Sequence, residues 1–322
     1  MLQLLDLAGI YFRAFHAVPS TTVSPTGRPV NAIRGTLDIV RRVLLDGEPD
    51  RMVACLDLDW RPAWRVDLVP TYKTHRVAPG TPGTPGSEPL PNGATAAEEV
   101  PDELGPQIPV LLEVLAAFGI ATAGAVGFEA DDVIGTLAAR EATDPVEVVT
   151  GDRDLFQVAR ATPTPVRVRY IGAGMSKVAV LDMAAVADKH GIPVGRYPDF
   201  AVLRGDPSDG LPGVPGVGDK TAAALITTFG SIEAVLNAVR DPRSALTKAQ
   251  RLKLTPALPY LEVAPQVVRV ASDAPVRIHP PGNGLLPVTP ADPDRLLELS
   301  KEFGLGSPVA RLLDALSNRG RS

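Results

Sequence analysis

Val146-Glu147-Val148-Val149-Thr150-Gly151-Asp152-Arg153-Asp154 is a β-branched run that stops on a glycine and then presents two aspartates. Its near-continuous apolar character reads as a strand buried on both faces, Val146–Thr150. Leu2–Leu7, Arg51–Asp57 and Val166–Ile171 read the same way. Between these runs, Ala32–Leu45 places Ile33, Leu37, Val40 and Leu44 at helical spacing. Pro109–Phe118 opens near a proline and stops before Gly119, and Ala130–Ala139 is a further short helix. Strands alternating with helices predict an α/β fold with a mainly parallel sheet covered on both faces.

The acids fall where such a sheet builds its site. Asp6 follows Leu4-Leu5, Asp57 follows Val53–Leu56, and Asp152 and Asp154 follow the run quoted above. Each sits at the carboxyl end of an expected strand, the edge at which open α/β sheets form their crevice. Glu129-Ala130-Asp131-Asp132 adds three acids at a helix start, more than capping needs, and Asp206 and Asp209 precede a Gly-Pro loop. Nine carboxylates in one cleft repel each other unless cations neutralise them. An oxygen-only donor set suits two or more Mg²⁺ or Mn²⁺ ions, which hold phosphate oxygens and activate water against a phosphodiester. His16, His75, His190 and His279 stand in no triad context and receive no role.

Gly213-Val-Pro-Gly216-Val-Gly218, followed by Asp219-Lys220-Thr221, reads as a hairpin between two helices, with Asp219 capping Lys220–Phe229. Glycines there let backbone N–H groups approach a phosphate, and Lys220 adds a full charge. Such contacts bind duplex DNA through its backbone, without sequence preference. Trp64-Arg65 and Tyr72-Lys73-Thr74-His75-Arg76 mix aromatic and basic residues. Their expected roles are phosphate grip by Arg65, Lys73 and Arg76, with Tyr72 near a terminal base and Arg13 a further phosphate contact. Pro79 to Gly93 holds five Pro and four Gly in fifteen residues and reads as a mobile loop.

Composition sets the outer limits. The 322 residues are 45% hydrophobic and 21% charged, which excludes wholesale disorder. One cysteine, Cys55, excludes a disulfide framework and any Cys-rich metal site. Net charge is −5, but setting the nine candidate ligands aside turns it into +4, so global charge does not exclude nucleic acid. Met1–Asp6 lacks the basic leader of a signal peptide, and Val110–Phe128, broken by Glu113, reads as a helix and then a strand or loop rather than a membrane span. The expectation is a cytoplasmic, nucleoid-associated monomer with no membrane contact.

Taken in order, Leu5-Asp6, Leu56-Asp57, Phe128-Glu129-Ala130-Asp131-Asp132, Thr150-Gly151-Asp152-Arg153-Asp154 and Gly205-Asp206-Pro-Ser-Asp209, with Leu211 to Thr221, resemble the bacterial 5′-nuclease family. This is the flap endonuclease/5′→3′ exonuclease family, which also forms the N-terminal domain of many DNA polymerase I enzymes. The resemblance implies a Rossmann-like, PIN-type nuclease core, a helical arch, and a helix–three-turn–helix (helix–hairpin–helix) module. It implies structure-specific hydrolysis of DNA with a 5′ flap, 5′ overhang or nick, in replication and repair. Carried over, Asp6, Asp57, Glu129 and Asp131 form one metal cluster, and Asp152, Asp154 and Asp206 the second. Asp132 and Asp209 lie nearby or act through water, Lys73 and Arg76 contact the reacting phosphate, and the hairpin holds K⁺ through carbonyls.

The expected units are 1–185, the nuclease core with its arch at 72–106; 186–255, the hairpin module; and 256–322, a helical segment packing on the core. Pro293–Phe303 and Val309–Leu316 are expected helices in that last unit. Three departures from the family pattern stand out. The arch segment is Pro/Gly-rich and then acidic (Glu88, Glu98, Glu99, Asp102, Glu103), Trp60-Arg61-Pro62 follows Asp57, and Gly210 replaces the usual asparagine, which is expected to loosen its turn. The chain also stops where a polymerase I continues, as a stand-alone nuclease or a piece of a longer protein. The alternatives are a non-catalytic scaffold for branched DNA and a metal-dependent phosphatase, for which Asp57-Leu58-Asp59 imitates a nucleophile motif. RNA-cleaving relatives of the PIN-type core usually lack the hairpin.

Overall fold

A computed structural model describes residues 1–77 and 98–319. The expected loop Pro79–Gly93 and most of the expected arch at 72–106 lie outside the described residues. Seven strands form one sheet in the order β6-β5-β4-β1-β2-β3-β7. They are β1 (Leu2–Asp6), β2 (Arg51–Cys55), β3 (Ala121–Gly124), β4 (Val146–Thr150), β5 (Val166–Tyr170), β6 (Ala179–Leu181) and β7 (Arg277–His279). The five from β1 to β5 run parallel, and β6 and β7 close the edges antiparallel.

The strands are buried on both faces because alternate residues feed two cores. Leu4, Val53 and Val148 face the layer of α5 (Ala130–Arg140), α7 (Tyr197–Arg204), α8 (Asp219–Phe229), α9 (Ile232–Arg240) and α11 (Leu258–Val268). Leu5, Ala54 and Val149 face α1 (Leu7–Ala17), α2 (Asn31–Gly47), α4 (Gln107–Phe118), α12 (Pro293–Glu302) and α13 (Gly306–Ser317). The chain leaves β1 toward β2 on one side and returns to β4 on the other. That reversal opens a crevice at the carboxyl ends of β1 and β4, where Asp6 and the Asp152–Asp154 segment lie.

The expected strands and helices appear, with shifted ends. Helix α4 starts at Gln107 rather than Pro109, and α13 at Gly306 rather than Val309. Asp219 does not cap α8. Gly218 occupies that position without a side-chain bond, and its carbonyl accepts from the Thr221 and Ala222 N–H groups. Helices α6 (Met183–His190) and α10 (Lys248–Leu254) and the short α3 (Ala63–Leu68) complete the fold. Among the described residues no single helix is long and apolar enough to cross a membrane.

Candidate active site

Asp6 ends β1 and caps α1, its carboxylate accepting from the Gly9 N–H at 2.8 Å and from the Thr150 hydroxyl at 2.8 Å. The same hydroxyl accepts from the Asp152 N–H at 2.8 Å, so one β4 side chain orients acids from two segments. Thr150 escaped sequence reading; an inward polar residue at the last position of an apolar strand was the available signal. Asp57 accepts from the Ala130 N–H at 2.9 Å, tying β2 to the start of α5. Asp206 and Asp209 arrive on the turn between α7 and α8, which closes on itself through two hydrogen bonds between Asp206 and Leu211.

These elements converge. A cleft of about 800 Å³ is lined by seven of the nine expected acids, Asp6, Asp57, Glu129, Asp131, Asp152, Asp206 and Asp209, together with Lys73, Arg76 and Arg13. Asp154 is buried just behind, its Oδ1 without a hydrogen-bond partner and 4.0 Å from Arg204 Nη2. Arg204 also reaches Asp206 at 3.5 Å, linking two acids of the second expected cluster; sequence reading gave it no role. Arg153, between the two aspartates of the opening motif, lines the cleft too.

Burial dominates the electrostatics. Desolvation pushes Asp57 up to about 7 and Asp209 up to about 6. It also raises Asp6, against the pull of its hydrogen bonds and of Lys73, and Asp131, Asp152 and Asp154, where carboxylate neighbours add to the rise. Glu129 goes the other way: burial would raise it, but Lys73 and Arg65 outweigh that and hold it below the usual range. Lys73 is buried, ion-paired to Glu129 and also in the field of Asp209 and Asp57. Its ammonium is a buried cation of the cleft, beside Arg13, Arg76 and Arg153. Arg76 stands at the rim, paired with Glu98 and 4.0 Å from Asp209.

Several expected site residues sit elsewhere. The Asp132 carboxylate is fully buried and takes both Arg65 Nη atoms at 2.7 Å and the Ala271 N–H at 2.8 Å, so it has no free edge for a metal. Arg65 is 3% exposed and bound to Asp132 and Glu129, which removes it from any DNA surface. Tyr72, also 3% exposed, donates to Glu129 Oε1 at 2.6 Å, and its burial leaves no ring face open for a base. Arg13 lines the cleft and donates to the Gly172 carbonyl at 3.0 Å. Gly213 is buried, and a Cβ there would meet the Arg204 carbonyl oxygen at 2.5 Å, so packing rather than phosphate contact requires the glycine. Gly216, Gly218 and Lys220 are exposed, and Thr221 is half-buried. Lys253 of α10 donates to the Gly216 carbonyl at 2.7 Å.

The donor set fits hard divalent cations: oxygen ligands only, carboxyls that burial raises and a bound cation would lower, and one buried oxygen without a hydrogen-bond partner. Among the described residues no three acids already converge on one point, so they line the cleft rather than form a closed cage.

The sequence profile of the 5′-3′ exonuclease N-terminal resolvase-like domain matches residues 1–191, and that of the 5′-3′ exonuclease C-terminal SAM fold matches residues 192–292. A 5′-3′ exonuclease of Mycobacterium tuberculosis is 52% identical over 319 residues, covering 98% of this chain and 97% of its own length. The chain belongs to the 5′-3′ exonuclease family. DNA polymerase I of the same organism is 34% identical to this exonuclease-family chain over 322 residues, which make up 32% of that longer protein. Among solved structures, T5 5′-exonuclease with bound zinc superposes with a TM-score of 0.61 at 14% identity, covering 99% of this chain and 98% of its own. That likeness bears out the PIN-type fold class.

Proposed function

We propose that this member of the exonuclease family is a structure-specific 5′-nuclease that hydrolyses phosphodiesters at 5′ ends and flap junctions of DNA. The observation that carries this reading is the cleft itself. Acids from β1, β2, α5, the β4 end and the α7–α8 turn meet around one buried lysine, beside an exposed hairpin suited to a DNA backbone. Divalent cations held by these carboxylates would supply charge neutralisation at the phosphate and a lowered pKa for water.

The chain's own residues have separable tasks. Asp6, Asp57, Glu129 and Asp131 would hold one ion, and Asp152, Asp154, Asp206 and Asp209 a second. Lys73 and Arg76 stabilise charge on the reacting phosphate's oxygens. Arg13 lines the far wall, where it meets the phosphate next to the one cut. Gly216, Gly218, Lys220 and Thr221 hold the downstream backbone. Mg²⁺ and Mn²⁺ are the ions proposed. A K⁺ ion at the hairpin would use carbonyls other than Gly216's, which Lys253 already engages. The active form is proposed to be a monomer.

Cleavage of a 5′-end-labelled flap duplex in Mg²⁺, in Mn²⁺ and in EDTA tests this. Metal-dependent cuts near the junction are expected; binding without cutting in either metal would overturn it in favour of a DNA scaffold. Asp152→Asn is expected to lower cleavage at least a thousandfold while DNA binding persists, measured on the same duplex. Turnover near wild type would refute the metal assignment.

A further inference from the structure

Trp60-Arg61, the pair that departs from the family pattern after Asp57, lies behind two cations of the cleft, Lys73 and Arg76. Each residue of the pair is 5% exposed, so neither meets DNA. The segment is rooted beside the acids. The Asp59 N–H donates to the Phe128 carbonyl at 3.2 Å, and the Arg61 N–H donates to Asp59 Oδ1 at 3.4 Å. From there the Arg61 side chain crosses to the turn that carries Lys73. Its Nε donates to the Tyr72 carbonyl at 2.7 Å, and its Nη2 donates to Thr74 Oγ1 at 3.2 Å.

The Tyr72 carbonyl and the Lys73 N–H belong to one peptide plane. Arg61 holds the oxygen of that plane, and the Asp209 carbonyl takes its N–H at 2.9 Å. Pinned at both ends, the plane fixes the direction in which the chain leaves it at Lys73, whose φ is +47°. The turn closes without Arg61: the Tyr72 N–H donates to the Val69 carbonyl at 2.9 Å, and the Thr74 hydroxyl to the Pro70 carbonyl at 3.0 Å. What the guanidinium adds is aim. Trp60 has the corresponding place at the rim, where Arg76 Cζ lies 5.5 Å from the centre of its ring, within cation–π range. The two cations are also joined to each other, the Arg76 N–H donating to the Lys73 carbonyl at 3.0 Å.

We infer that Trp60 and Arg61 are positioning residues for cleavage: Arg61 sets the peptide plane from which Lys73 is aimed into the cleft, and Trp60 holds Arg76 at its rim. The inference rests on the phosphate roles given above to Lys73 and Arg76, and it makes their placement a property of the free enzyme rather than a response to DNA.

Single-turnover cleavage of the flap duplex at saturating enzyme tests it, because that rate constant belongs to the folded fraction whatever the stability of the variant. Arg61→Met is expected to slow the step by about 10–100-fold, with affinity for the same duplex in EDTA unchanged. Arg61→Lys, which keeps one donor group and the charge, should recover part of the loss. Trp60→Leu should slow it severalfold and Trp60→Phe, which keeps a ring, much less. In a Lys73→Ala background Arg61→Met should add little further loss, since it acts through Lys73. A wild-type rate constant in Arg61→Met beside a lowered Tm would overturn the inference, as would a full additional loss in the Lys73→Ala background. Should Arg61→Met not fold, Arg61→Lys and the two Trp60 variants carry the same test. A second readout needs neither DNA nor metal: acetylation of Lys73 by acetic anhydride, followed by mass spectrometry with the exposed Lys220 as reference. Arg61→Met should label Lys73 severalfold faster, and unchanged protection would refute the positioning. A wild-type enzyme that cuts nothing sinks the nuclease reading, and the labelling then still decides whether Arg61 places Lys73.

Discussion

Gly210 sits where the Asp206–Leu211 turn meets the segment carrying Lys73. Its φ is +68°, and a Cβ there would collide with the Thr71 carbonyl oxygen. Thr71 donates to the Gly210 carbonyl at 2.7 Å, and the Lys73 N–H donates to the Asp209 carbonyl at 2.9 Å. The expected loosening is therefore reversed: lacking a side chain lets the two segments lock backbone to backbone. Lys73, itself at φ +47°, is held in its left-handed conformation by that contact. Gly210→Ala should push the Lys73 segment away and slow single-turnover cleavage by about 10–100-fold, since displacing a catalytic group by about 1 Å costs on that order. Arg65 behaves differently because it supports the acids from behind. Arg65→Met leaves Asp132 and Glu129 buried without that partner, and should cost about 3–5 kcal/mol in urea unfolding. A loss confined to DNA affinity would instead restore Arg65 to the DNA surface.

At the scale of elements, what was legible in sequence follows from periodicity. The strands ending in Asp6, Asp57 and Thr150 were plain because parallel strands buried on both faces are apolar throughout. Helix α1 was missed because β1 passes into it without a turn, Asp6 serving as last strand residue and helix cap together. Helices α6 and α10 have only eight and seven residues, too few for a period to emerge. The Asp131/Asp132 split was in principle readable, since neighbours on a helix point about 100° apart and cannot both face one cleft. The Arg65–Asp132 pair was not, because its partners are 67 residues apart. Helix α10 shows the same limit: nothing in Lys253's surroundings announces that it reaches Gly216. Lys253→Met should free that carbonyl and weaken flap-duplex binding severalfold; unchanged binding would mean the hairpin keeps its shape unaided.

For the whole molecule, the buried acids set the response to pH and metal. Asp57 and Asp209 hold protons up to about 7 and about 6 in the fold, but release them near 4 when unfolded. Between about pH 4 and 7 the native state thus binds more protons than the unfolded one, and these two groups make stability fall as pH rises through that window. Divalent ions compete with those protons, so they should stabilise more at high pH. Melting in EDTA should give a lower Tm at pH 8 than at pH 6, and a fixed Mn²⁺ concentration, set at a hundred times its Kd at pH 8, should restore about 2.7 kcal/mol at pH 8 and less at pH 6. A larger metal effect at pH 6 would contradict this.

The edge strand β7 carries a consequence for how the chain is made. Thr122 of β3 pairs with His279 of β7, 157 residues later. At about 5–20 residues per second on the ribosome, the open edge of β3 waits roughly 8–30 s for its cover. Throughout that interval the nascent chain offers unpaired backbone groups to other nascent chains. With only Ala121–Gly124 in that strand, the exposed template is four residues long, too short to recruit a neighbour firmly.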